Sequence, residues 1–203
     1  MKNKTIYLIR HGETALNVNK ILQGGGVNSD LNDKGRIQSL KFYEAYKHIP
    51  YKKIYTSQLK RSIQSVQQFI NDGIPYVSLS ELNELHYGVF DGVMKSEGIG
   101  SPYPFLVNRW EMGEVDAKLE EGESPKEVAD RLKKGWELIL SKEEEDIILI
   151  SMHGRAMRIF LSVIAGEEIK NMQRFSHSNL GLYIIYLDNN KPHFLKFNDT
   201  AHL

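Results

Sequence analysis

Thr5-Ile6-Tyr7-Leu8-Ile9-Arg10-His11-Gly12 is the stretch on which the fold turns. Thr5 to Ile9 is β-rich and apolar on both faces, as in a strand covered by helices on both sides of a parallel sheet. The run then stops at an arginine, a histidine and a glycine. The same pattern returns late in the chain, where the apolar residues Ile147 to Met152 run into His153-Gly154. Helical patterns follow at Asp33–Tyr46 in the first case and from about Arg155 to Ala165 in the second.

Lys53–Thr56 and Tyr76–Leu79 read as two further strands. Between them, residues 58–70 read as one helix, with Leu59, Ile63, Val66, Phe69 and Ile70 on its apolar face. Ser124 has the form of an N-cap, with Pro125 at the first helical position and Glu127 three residues on, so a helix to about Leu140 is predicted. Leu180–Leu187 and His193–Phe197, separated by Asp188-Asn189-Asn190-Lys191, predict a hairpin. Residues 95–125 are looser, and there we expect a long excursion with a short helix over the sheet edge. Its aromatic residues Phe105 and Trp110 read as packing groups. Strands alternating with helices define an α/β domain with a largely parallel sheet, which the terminal hairpin makes mixed. A single domain over residues 1–203 is expected, with the excursion as a cap.

The 203 residues carry no net charge, so neither nucleic acid nor an anionic membrane is an expected partner. The absence of cysteine excludes disulfides, thiolate metal sites and cysteine nucleophiles. No apolar run approaches the ~20 residues that a membrane helix needs. The N-terminal apolar run is cut short by Arg10, unlike a signal segment. These features lead us to expect a cytoplasmic protein, with a homodimer left open.

In open parallel sheets, ligands bind beyond the carboxyl ends of the strands. Arg10, His11, Arg61, Glu84 and His153 all fall at such ends. Arginine matches phosphate oxygens with a planar, permanently charged fork. A neutral histidine can attack phosphorus if its other ring nitrogen is held by an acceptor. Expelling an alkoxide needs an acid, and Glu84 is placed for it if burial favours its protonated form. No metal or other cofactor is required by this set. His11 and His153 with Asp30 or Asp91 lack compact metal-ligand spacing. His48, His86, His177 and His193 read as packing or surface residues.

Leu8-Ile9-Arg10-His11-Gly12-Glu13-Thr14 with Asn17 resembles the signature of the histidine phosphatase superfamily, the phosphoglycerate-mutase-like proteins. The resemblance continues through Leu31–Arg36, Tyr55–Ser62, Leu82-Asn83-Glu84 with Gly88 and Gly92, Gly122-Glu123-Ser124 and Ser151–Gly154. It implies a three-layer α/β/α sandwich around a mainly parallel, mixed six-stranded sheet. It also implies that His11 is the phosphohistidine, that Glu84 gives and takes the proton, and that Arg10, Arg61 and His153 form the phosphate pocket. Thr14, Asn17, Gln23, Gly24 and Gly154 match positions that hold the phosphate or the rest of the substrate. The chain ending, similar to endings in the phosphatase branch, adds His202 as a candidate contact. Mutases of this family carry an arginine where this chain has Leu85, and an arginine-rich insertion where it offers Arg109 alone. Arg155 replaces a common small residue. The activity implied is hydrolysis of a small phosphorylated metabolite through phosphohistidine. The alternatives are a mutase using the same intermediate and a phospho-ligand binding module without turnover.

Overall fold

A computed structural model of the chain describes residues 3–93 and 102–203. The first residues of the expected excursion therefore lie outside the described residues. The elements run β1 (Lys4–Arg10), α1 (Ala15–Val18), α2 (Asp33–Tyr46), β2 (Lys53–Thr56), α3 (Lys60–Gln64), α4 (Gln67–Asn71), β3 (Tyr76–Ser78), α5 (Tyr103–Glu111), α6 (Pro125–Leu140), β4 (Ile147–Met152), α7 (Gly154–Ala165), β5 (Leu182–Asp188) and β6 (Lys191–Asp199). Single 3-10 turns occur at Ser80–Leu82, Gly88–Phe90 and Ile169–Arg174.

The sheet order is β3-β2-β4-β1-β5-β6. The first four strands are parallel, while β5 runs against β1 and β6 against β5. Strand alternation sorts side chains into two cores. Ile6, Leu8, Ile148, Ile150 and Met152 face one side, with Leu132 and Ile139 of α6 and Ile159 and Phe160 of α7. Ile9, Ile54 and Leu149 face the other, with Phe42 of α2 and Phe69 of α4. The expected three-layer α/β/α sandwich with a mixed six-stranded sheet is thus what the chain adopts.

The helices that follow β1 and β4 cover opposite faces, although the two strands are neighbours. A crevice opens between their carboxyl ends, as expected where successive connections diverge. The register sets Arg10 opposite Met152. His11 and His153 therefore leave adjacent strands side by side.

Two local expectations change. Residues 58–70 form two short helices rather than one, with a break at Val66 (φ −123°, ψ 13°). The Ser39 hydroxyl donates to the carbonyls of Gln64 and Ser65, at 3.3 and 2.9 Å, withdrawing them from the helical ladder. The excursion carries the short helix expected of it, α5 (Tyr103–Glu111). It packs against the Ile169–Arg174 turn, and its Trp110 is buried beneath Arg155. Phe105 is 68% exposed, so it is not the packing group expected. The hairpin closes at Asn189 and Asn190, both at positive φ, as a tight two-residue turn requires. Elsewhere α6 begins as predicted, with a reciprocal Ser124–Glu127 capping box. No helix among the described residues is long and apolar enough to cross a membrane.

Candidate active site

The loop after β1 is held by backbone-to-backbone packing against α2. A Cβ on Gly12 would stand 2.8 Å from the Gly35 carbonyl, and one on Gly35 would stand 2.1 Å from the Glu13 carbonyl. Only glycine permits that approach at either position. Asn32, the N-cap of α2, donates from its backbone to the Glu13 carbonyl and from its side chain to the Glu13 carboxylate, each at 3.0 Å. The Gly12 N–H donates to Ser65 Oγ at 2.8 Å, and that hydroxyl donates to the Arg61 carbonyl.

His11 is 3% exposed, and its Nδ1 lies 2.7 Å from the Gly12 carbonyl. A carbonyl only accepts, so Nδ1 carries the proton and Nε2 keeps its lone pair. Burial, then the charges of Arg61 and Arg10, hold the ring's pKa well below the usual histidine value. His153 stands beside it, with ring centroids 5.2 Å apart. The Arg61 Nε–H donates to His153 Nδ1 at 3.2 Å. The neutral ring therefore places its proton on Nε2, which donates to Ser57 Oγ at 2.6 Å. Burial, Arg61, His11 and Arg10 depress this histidine too.

Arg61 is fully buried. Besides His153, it donates to the carbonyls of Val27 (2.5 Å), Gln23 and Gly24 (both 3.3 Å). Asp91 takes the N–H groups of Gly24 and Gly26 on the other side of that loop, each at 2.8 Å. Arg61 and Asp91 thus grip one loop from its carbonyl and amide sides. Burial lowers Arg10 and Arg61 to about 10, which leaves both charged at neutral pH.

Glu84 is buried, 6% exposed. Its Oε1 accepts from the N–H groups of Leu85 (2.9 Å) and Ala156 (2.7 Å), and its Oε2 from that of Arg155 (2.9 Å). The first turn of α7 therefore receives this carboxylate. Arg131 fixes the approach to it, donating to the carbonyls of Glu81, Asn83 and Glu84 while pairing with Glu123.

A cavity of about 60 Å³ gathers Arg10, His11, Asn17, Gln23, Glu84 and Gly154 from the expected set. Thr14 lies just beneath, its hydroxyl accepting from Gln23 Nε2 at 2.7 Å, and Gly24 contributes through the loop that Arg61 grips. His153 stands directly beside His11, and Arg61 is held behind it through His153 Nδ1. His202 is not brought there. Its ring packs on Phe42 and Tyr46, and its Nε2 meets the Leu180 carbonyl at 3.0 Å. Four further wall residues escaped the sequence reading as site residues: Tyr87, Tyr103, Arg155 and His177. His177 is half-buried, and its Nδ1 accepts from Arg10 Nη1 at 3.2 Å. The displaced small residue at 155 was the one signal available for this group. Leu85 is fully buried in the core, on no cavity wall.

A neutral, oriented histidine beside buried arginines and a carboxylic group, at the crevice of an α/β sheet, defines a phosphoryl-handling enzyme site. The family model of the histidine phosphatase superfamily (branch 1) matches residues 6–200, and the chain belongs to that family. It is 31% identical over 204 residues to the 2,3-bisphosphoglycerate-dependent phosphoglycerate mutase of Bacteroides fragilis, covering 82% of this chain and 81% of that one. It is 29% identical over 184 residues to human 6-phosphofructo-2-kinase/fructose-2,6-bisphosphatase 4, covering 88% of this chain. The chain spans only 37% of the length of that two-activity relative. The solved structure of Bacillus stearothermophilus YhfR superposes with a TM-score of 0.86 at 25% identity, over 98% of each chain.

Proposed function

We propose that the protein is a phosphomonoester hydrolase that works by double displacement through His11. The observation that carries this reading is the Nδ1–H bond to the Gly12 carbonyl, which leaves Nε2 as a nucleophile in the cavity that also holds Arg10 and Glu84. In the first step Nε2 attacks phosphorus, the ester P–O bond breaks, and the departing oxygen takes a proton from Glu84. In the second step water attacks the phosphohistidine, gives its proton to the Glu84 carboxylate, and the P–N bond breaks to restore His11. Arg10 sits on the cavity wall to receive phosphoryl oxygens. Arg61 adds its charge from behind and holds the 23–27 loop.

Release of phosphate from p-nitrophenyl phosphate in excess chelator, lost in His11→Ala with the fold intact by circular dichroism, is the expected result. Full activity in that variant contradicts the reading. The relationship to the Bacteroides fragilis mutase supports a second reading, in which a substrate hydroxyl rather than water accepts the phosphoryl group. Supplying 3-phosphoglycerate and measuring free phosphate against the 2-isomer separates the two.

A further inference from the structure

Arg155 is placed where a cation has little reason to be. It is the second residue of α7, directly after Gly154, at the positive end of a twelve-residue helix. Its guanidinium lies over the Trp110 ring, 5.2 Å from the centroid, and donates from Nη2 to the Tyr103 hydroxyl at 2.9 Å. Nη1 is buried and has no hydrogen-bond partner among the described residues. The side chain is thus oriented by a ring and a phenol, with one fork of its donor set unused. Burial works against this charge, but Tyr103 and Tyr87 beside it raise the guanidinium's pKa, so the cation is kept charged against the helix end with a donor still to give.

The neighbouring cations share the condition. Arg10 Nε and Arg158 Nε, on the same side, also lack partners among the described residues. Among the described residues, Arg10 pairs with His177 and Arg155 with Tyr103 and Tyr87, none of them an acid. Burial keeps the Tyr87 hydroxyl protonated far above neutral pH, so it adds no compensating charge. Glu84, the carboxylate on this cavity, is already bound by three backbone N–H groups.

The direction of the Arg155 side follows from Glu84. The Arg155 N–H holds Glu84 Oε2, and Glu84 is the group that protonates the departing oxygen. The Arg155, Tyr87 and Tyr103 side of the cavity is therefore where the alcohol part of the substrate lies. We propose that Arg155 is a specificity-determining residue that takes a second acidic group, a carboxylate or a phosphate, on the alcohol part of a small phosphomonoester. This assignment rests on the phosphatase reading and narrows its substrate class to doubly acidic esters. The cavity is small and walled by two tyrosines, so the second acid stands only a short carbon chain from the ester oxygen.

The test uses the full chain and matched substrate pairs. One pair is 3-phosphoglycerate against glycerol 3-phosphate, and the other is fructose 2,6-bisphosphate against fructose 6-phosphate. The expected result is a preference in kcat/KM of tenfold or more for the doubly acidic member of at least one pair. The carboxylate and the phosphate pair then tell which acid is meant. Arg155→Met should lower that preference at least tenfold relative to its effect on p-nitrophenyl phosphate, and Arg155→Lys should restore part of it. Calorimetric binding of the same pairs to His11→Ala, with and without Arg155→Met, reads the preference without turnover. Thermal unfolding confirms that each variant is folded. No preference in either pair, or a preference that survives in Arg155→Met, overturns the assignment. Failure of the wild type to release phosphate from any ester overturns the phosphatase reading instead, while the binding arm still decides the role of Arg155.

Discussion

The carboxylate of Glu84 sits on the N–H of Ala156, 2.7 Å away, in the first turn of the helix that starts immediately after His153. One strand end thus places a histidine beside His11 and, three residues later, anchors the group that must exchange protons in the same reaction. Both Glu84 oxygens accept backbone N–H groups, so an amide there would turn a donor toward a donor. Glu84→Gln should lower kcat/KM for alkyl phosphates by about 10²–10⁴, the usual worth of a positioned acid–base group. The loss should be smaller for p-nitrophenyl phosphate, whose leaving group needs less protonation. Urea unfolding should also show a loss of about 1–3 kcal/mol from the unpaired buried donor. Equal kinetic losses on both substrate types would remove Glu84 from the proton-donor role.

Stability should fall as the medium is acidified from pH 7.5 to 5. His11 and His153 have folded pKa values well below 6.5, whereas the unfolded chain takes up these protons near 6.5. Below that pH the unfolded state binds more protons, so unfolding becomes more favourable as pH drops. Each histidine contributes up to about 1.4 kcal/mol per pH unit in that window. Urea titrations of the wild type and of His11→Asn should diverge in slope below pH 6.5, the variant being flatter. Identical slopes would place the His11 ring in a far wetter environment than the one described.

Gly35→Ala tests the contact that holds the nucleophile loop. A Cβ 2.1 Å from the Glu13 backbone carbonyl can be relieved only by moving backbone. The overpacking should cost about 1–3 kcal/mol in urea unfolding and lower kcat as the loop shifts. Unchanged kcat and stability would mean that α2 and the loop separate freely.

Arg131→Met removes the guanidinium that holds the carbonyls of Glu81, Asn83 and Glu84. Arg131 lines no part of the His11 cavity, so its effect should run through the placement of Glu84. We expect kcat to fall by about tenfold to a hundredfold with KM changing less, since small misplacements of a reacting group carry losses of that order. A rise in KM at constant kcat would instead assign Arg131 to substrate binding.

Much of this arrangement could be read from residue patterns because it is made locally. The six strands, the Ser124–Glu127 cap and the His-Gly pairs at the ends of β1 and β4 each lie within one short window. The parts that eluded the sequence depend on contacts between distant segments. Whether residues 58–70 stay one helix is decided by the hydroxyl of Ser39, on another helix. That Arg61 also holds the carbonyls of the 23–27 loop shows only in the fold. His177 has no pattern around it, and only the fold carries it to Arg10. His202 ends in an aromatic niche of α2 because Phe42 and Tyr46 present a surface there. Leu85 shows the same limit from the other side: its identity is visible, but its direction into the core is not.

The central claim is that His11 carries the phosphoryl group on Nε2. Rapid quenching of the enzyme during turnover of a phosphomonoester, followed by phosphorus NMR and tandem mass spectrometry of the digested phosphoprotein, tests it most directly. The account predicts one acid-labile, base-stable phosphate on His11, bonded at Nε2 because Nδ1 is held by the Gly12 carbonyl. Phosphate on His153 or His177, or at Nδ1 of His11, would contradict it.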